Sequence, residues 1–156
     1  MIKTKAKLKR ARKPVVATPL LVAKDTLKLL DQKRIKPMTG IYGPDTTDWQ
    51  AYFAKLQKHC EVCQLGGLLA GYASRFDQVN QWDRRKLKEI FGEEQLSLIE
   101  TAFEGFWCGY GQPVNIWAAM EFGNRFESDR RRFRAILNNM IAHGGKFVPE
   151  EAGKSR

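Results

Sequence analysis

Apolar positions recur at helical spacing along most of the chain, and turn-forming residues break them into short segments. Thr18 and Pro19 open the first: a hydroxyl that can accept from a free helical N–H, then a residue whose fixed φ suits a first helical position. Leu20, Ala23, Leu27 and Leu30 follow on one face, and the pattern stops near Gln32, ahead of Lys36-Pro37. Pro37, Gly40, Gly43 and Pro44 mark a loop over 37–47. Thr47 or Asp48 is expected to cap a second helix with Trp49, Phe53 and Leu56 as its stripe. A third helix is expected over about 61–76, with Leu65, Leu68, Leu69, Tyr72 and Phe76 on one face.

After a connector at 77–82, Asp83 is expected to cap a short helix bearing Leu87, Ile90 and Phe91, with Gly92 as its stop. The next, over 93–106, is expected to bury Leu96, Ile99, Phe103 and Phe106. Residues 107–114 are turn-rich. Asn115 is a candidate cap for a short helix carrying Trp117, Met120 and Glu121, interrupted by Gly123. Ser128 opens the last helix, where Phe133, Ile136, Leu137, Met140 and Ile141 form the core face and His143-Gly144-Gly145 the end. Phe147-Val148-Pro149 is expected to pack back on the body. No repeat is visible and no alternating run is long enough for a sheet. The pattern therefore predicts an all-α protein, an irregular bundle of six or seven helices in a single domain over 18–149. A disordered basic tail over 1–17 precedes it and a loose tail over 150–156 follows.

Charge changes this picture at one place. The first 14 residues hold seven of the 27 basic side chains and none of the 17 acidic ones, so the rest of the chain carries 20 basic groups against 17 acidic. Lys3, Lys5, Lys7, Lys9, Arg10, Arg12 and Lys13 thus account for most of the formal net charge of +10. Self-repulsion and scarce apolar groups predict disorder for this segment when free. Such a segment suits non-specific phosphate contacts. Arg130, Arg131 and Arg134 on the last helix are a second candidate edge for nucleic acid. The simpler account of that run, with Arg132 inside it, is a solvated or paired face in which Glu127 pairs with Arg131 at i+4.

Other chemistry is thin. Cys60 and Cys63 have the C-x-x-C spacing of half a zinc centre, with Cys108, His59 or His143 as the remaining candidates; no second half is evident. Three cysteines are too few, and odd in number, for a disulfide framework, which points to a reducing, cytoplasmic compartment. Buried packing at the start of a helix explains the pair more simply. Cys63, Gly67 and Gly71 lie four residues apart on the third helix, and such a strip suggests the close approach of another backbone. Trp49, Trp82, Trp107 and Trp117 fit core packing better than base stacking, with Trp82 and Trp107 the two expected to be exposed. Glu100 and Glu104 share a face without an acid–base partner in sequence. No nucleophile-elbow, P-loop or dinucleotide fingerprint occurs. The inventory points away from an enzyme, implies no cofactor, and no apolar run approaches a membrane span.

Two stretches carry a resemblance. Cys60-Glu61-Val62-Cys63-Gln64-Leu65-Gly66-Gly67-Leu68 resembles a C-x-V-C-x-x-G-x-L segment, and the run from Arg134 to Pro149 resembles an ending of the form N-x-I-x-x-x-G-x-F-x-P. Both are similar to small helical proteins of bacteria and their phages, and Leu98–Glu104 fits the same picture. The resemblance covers the C-terminal two-thirds and implies no activity. The sequence thus leads to a non-enzymatic binding protein that contacts nucleic acid, or a nucleic-acid machine, through its tail. The alternatives are a phage-encoded regulator that docks on a host protein, and a small enzyme or zinc protein built on Cys60 and Cys63.

Overall fold

Thr18 and Ser128 do what their positions predict, and each caps a helix of the bundle. The computed structural model of the chain describes residues 15–39, 60–76, 84–105 and 115–149. Among these it contains six helices: α1 (Pro19–Asp31), α2 (Gln64–Phe76), α3 (Arg84–Phe91), α4 (Glu93–Glu104), α5 (Ile116–Asn124) and α6 (Asp129–Ala142). The protein is an all-α irregular bundle. The expected helix on Trp49, Phe53 and Leu56 lies outside the described residues, as do the tail over 1–14, Asp83, Trp82 and Trp107, and residues 150–156.

The Thr18 hydroxyl accepts from the Leu21 N–H at 3.2 Å, and the Ser128 hydroxyl accepts from the Arg131 N–H at the same distance. Both caps have extended backbone, with φ of −105° and −100°. Asn115 departs from the expectation. It stands before α5 in left-handed conformation (φ 70°) and its side chain makes no capping bond. A side-chain cap needs the extended geometry that Thr18 and Ser128 have.

A second departure concerns 60–62. Instead of opening a helix, Cys60–Val62 forms a short strand, β2, paired in parallel with β1 (Ile35–Pro37) in the register Ile35↔Cys60 and Pro37↔Val62. Three-residue strands are too short to leave a periodic signal, and their pairing is set by tertiary position. Helix α2 consequently begins at Gln64.

Helix α2 is buried over nine consecutive residues, Gln64–Tyr72. Its glycines explain how it can be. A Cβ on Gly71 would lie 2.1 Å from Thr26 Oγ1 and 2.9 Å from the Thr26 nitrogen of α1. A Cβ on Gly67 would meet the Phe133 ring of α6 at 2.7 Å. The Thr26 hydroxyl donates to the Val22 carbonyl at 2.7 Å, so a polar group at this closest approach is satisfied within its own helix. Phe103 of α4 meets Phe133 edge-on at 5.6 Å, which joins the second half of the bundle to the same core.

Helices α4 and α5 repeat the device. A Cβ on Gly123 would lie 1.8 Å from the Ala102 carbonyl oxygen, which explains a glycine inside a helical pattern. The chain end is fastened by two amides acting as both donor and acceptor. Gln95 bonds the Phe147 N–H at 2.7 Å and its carbonyl at 3.1 Å, and Asn139 does the same for Val148 at 2.8 and 2.9 Å. Phe147 thereby enters the core against Phe122, as expected of the Phe-Val-Pro segment. Since the Gly123 contact is with backbone, no rotamer change can relieve it. Gly123→Ala should therefore cost about 3 kcal/mol, read as a lower midpoint of urea unfolding.

Candidate functional site

The last turn of α1, β1 and the first turns of α6 meet along one edge. Helix α1 ends in a Schellman turn: the Lys33 N–H bonds the Leu30 carbonyl at 3.0 Å and the Arg34 N–H bonds the Leu29 carbonyl at 2.9 Å. The left-handed position, usually glycine, is Lys33 at φ 56°. Helix α6 closes on this turn. Arg130 donates to the Leu30 carbonyl at 3.0 Å, Arg134 pairs with Asp31, and the Thr39 N–H donates to the Asp129 carboxylate at 3.2 Å. Lys28, Lys33 and Lys36 are exposed around it.

The arginine run thus divides its labour. Arg132 is structural. It donates to the carbonyls of Gly123 (3.0 Å), Phe103 (3.2 Å) and Phe126 (2.8 Å) and to Asp129 at 2.9 Å. One planar guanidinium so satisfies backbone carbonyls of α4, of α5 and of the link to α6, a task its fixed fork suits and an ammonium does not. The ion pairs of α6 that the structure describes run from Asp129 and Asp31, rather than from Glu127 to Arg131. Arg130 and Arg134 are held against α1 with part of each side chain in solvent, and Arg131 is exposed. The structure therefore brings Arg130 and Arg134 together with cations of α1 and β1 that the sequence reading did not single out. Lys3, Lys5, Lys7, Lys9, Arg10, Arg12 and Lys13 lie outside the described residues. The chain nevertheless enters the body beside this surface's own helix, through exposed Val15 and Val16 into Thr18.

Beside the same turn a groove of about 320 Å³ runs between α1 and α2. Lys28, Gln32 and Arg34 border it on one side, and Ser74 and Arg75 on the other, with Leu29 beneath. Its one acid, Asp25, is engaged: Arg75 holds both carboxylate oxygens, Nε at 2.7 Å and Nη2 at 2.9 Å.

The cysteine pair does not form a described centre. Cys60 lies in β2, Cys63 follows it, and His59 and Cys108 lie outside the described residues. Among the described residues no group of three metal-ligating side chains is assembled. Burial pushes the Cys63 thiol from about 9 up to about 11; the N–H groups of Gly66 and Leu65 oppose this, and the carboxylates of Glu100 and Glu104 add to it. A neutral thiol is neither the nucleophilic nor the ligand form. Next to it Gln64 Oε1 is buried without a hydrogen-bond partner among the described residues. Trp117, expected in the core, is instead 69% exposed on α5. Helix α5 buries the opposite face, Ala118, Ala119 and Phe122, where Gly123 lets α4 approach. No helix among the described residues is long and apolar enough to cross a membrane.

No family model, curated protein or solved structure matches the chain.

Two outcomes follow from this geometry. Arg132→Lys should lower stability by about 2 kcal/mol, because several carbonyls lose donors, whereas Arg131→Gln should leave the unfolding midpoint within about 0.5 kcal/mol of the parent. For Cys63, the unfolded thiol ionises near 9 and the native one near 11. Its contribution to stability is therefore complete below pH 9 and lost as pH rises through about 11. The stability difference between the parent and Cys63→Ala should shrink by ~2 kcal/mol between pH 8 and pH 11, measured by denaturant unfolding at each pH.

Proposed function

We propose that this protein is a non-enzymatic binding protein of bacterial or phage type that holds nucleic acid, or a nucleic-acid assembly, through its basic N-terminal segment. The observation that carries this reading is the concentration of charge: seven cations and no acid in 14 residues, on a body that is nearly balanced. A segment of that kind binds polyanions by releasing their condensed counterions, which makes affinity steeply dependent on salt and insensitive to base sequence. The basic edge around the end of α1 supports the reading, since Lys33, Lys36 and Arg131 are exposed on elements that meet where Arg130 and Arg134 hold the end of α1. The sequence carries no recognised DNA-reading signature, so specificity for a base sequence is not part of the proposal.

A second reading has one observation in its favour. Trp117 is a large aromatic side chain left 69% exposed on α5, and exposed tryptophan is favoured at protein–protein contacts. Under it the protein is a regulator that docks on another protein.

The test is fluorescence anisotropy with labelled generic single- and double-stranded DNA and RNA. The full chain is compared with a full-length variant in which all seven tail cations are replaced by Gln. The expected result is binding at low salt that weakens steeply toward physiological salt, and a loss of at least 10-fold in affinity in the variant. Equal affinity of the two chains, or no binding at low salt, would remove the proposal and turn attention to Trp117.

A further inference from the structure

The groove between α1 and α2 has the composition of an anion site and a structural reason to be where it is. Gly71 brings α2 onto Thr26. Beside this contact the groove is bordered by Lys28 of α1 and its C-cap Gln32, and by Ser74 and Arg75 of α2. The Schellman turn at Lys33 then carries Arg34 back to the same groove. Among the described residues the groove holds one carboxylate, that of Asp25, and it is already spent on orienting Arg75. Its side chain is 13% exposed and grips Nε and Nη2, which fixes the guanidinium plane and leaves Nη1 with two N–H donors. An arginine held this way is preorganised for a phosphate oxygen. Lys28 has no ion-pair partner among the described residues and sits in the last turn of α1, where the helix dipole favours a cation. Gln32 adds a neutral donor, while the Ser74 hydroxyl already donates to the Gly71 carbonyl at 2.7 Å. Leu29 alone is apolar, so the groove suits a charged polar strand rather than an apolar ligand.

We infer that this groove, bordered by Lys28, Arg34 and Arg75, binds the phosphodiester backbone of the nucleic acid that the tail captures; the inference rests on the reading above. The dimensions fit. The tail joins the body at the start of α1, and Lys28 lies nine residues along the same helix, about 14 Å away. Fourteen residues reach at most about 50 Å, so a strand held by the tail lies within range of the groove. Tail and groove then act as two linked contacts on one polyanion, and each raises the effective concentration of the other.

The experiment measures the affinity of the full chain for single- and double-stranded DNA oligonucleotides over a range of salt. Lys28→Gln is compared with Lys146→Gln, the same charge change at an exposed position past the end of α6. Both sites are exposed, and both variants should unfold at the parent midpoint. The expected result is a 3- to 10-fold loss of affinity at low salt for Lys28→Gln, with the log–log salt slope reduced by about 0.7–0.9, as one lost phosphate contact requires, and no change for Lys146→Gln. Parallel titration with polyglutamate separates partner classes: weak binding, unaffected by Lys28→Gln, supports the inference. Tight polyglutamate binding lost in Lys28→Gln would overturn it in favour of an acidic protein partner. DNA binding that Lys28→Gln leaves unchanged would overturn the groove while leaving the tail reading intact. Failure of the full chain to bind DNA at low salt would remove both.

Discussion

The contact on which the rest of the structure depends is the approach of α2 to α1 at Gly71 and Thr26. There α2 presents no side chain to α1, because a Cβ on Gly71 would lie 2.1 Å from the threonine hydroxyl and 2.9 Å from the Thr26 nitrogen. Glycine inside a helix costs about 1 kcal/mol relative to alanine, and close packing of two long buried faces offsets it. One turn earlier Gly67 admits Phe133, so the same helix also seats α6. With α2 buried over nine residues, the other helices arrange themselves around it. The turn that ends α1 is thereby brought beside Arg75, and α6 is brought onto that turn through Arg130 and Arg134. The basic edge is a consequence of the packing.

Much of the fold could be read from residue spacing, for reasons that differ by element. Helix α6 was largely legible: a serine cap, an apolar face of Phe133, Ile136, Leu137 and Met140, with the expected Ile141 only partly buried, and a glycine end all operate locally. Helix α1 was legible in extent but not in orientation. Leu20 and Leu27 are only partly buried, while Val22 and Leu29 are in the core, because α1 is covered by both α2 and α6 and its buried arc is wider than one stripe. The strand at Cys60–Val62 left no local signal, since its partner Ile35–Pro37 lies 25 residues earlier in register. Of the small residues at four-residue spacing, Gly71 meets the backbone of α1 as expected, whereas Gly67 admits the Phe133 ring and Cys63 lies ahead of the helix; the same logic at Gly123 could have shown that α5 turns one face to α4 and Trp117 outward.

The candidate site divides along similar lines. The charge of the N-terminal segment is visible in composition alone. That Arg132 of the arginine run serves the backbone, while Arg130 and Arg134 are tied to α1, is a matter of which carbonyls lie within reach and cannot be seen in one dimension. The groove cations were missed because Lys28, Arg34 and Arg75 are scattered over 48 positions and look like ordinary solvated charge. The available signal was Lys33, a lysine where a helix stop ordinarily takes glycine. In the function proposed above, two basic elements on one chain act together, the N-terminal segment for capture and the groove for placement, with affinity arising from their linkage.

The central claim is that both elements touch the same polyanion. Amine-reactive footprinting of the full chain, read by mass spectrometry with and without a saturating DNA oligonucleotide, tests it most directly. The account predicts that Lys3, Lys5, Lys7, Lys9, Lys13 and Lys28 lose reactivity together in the complex while Lys146 keeps its own. Protection of the tail lysines with Lys28 unchanged, or unchanged reactivity at every lysine in the presence of DNA, would contradict it.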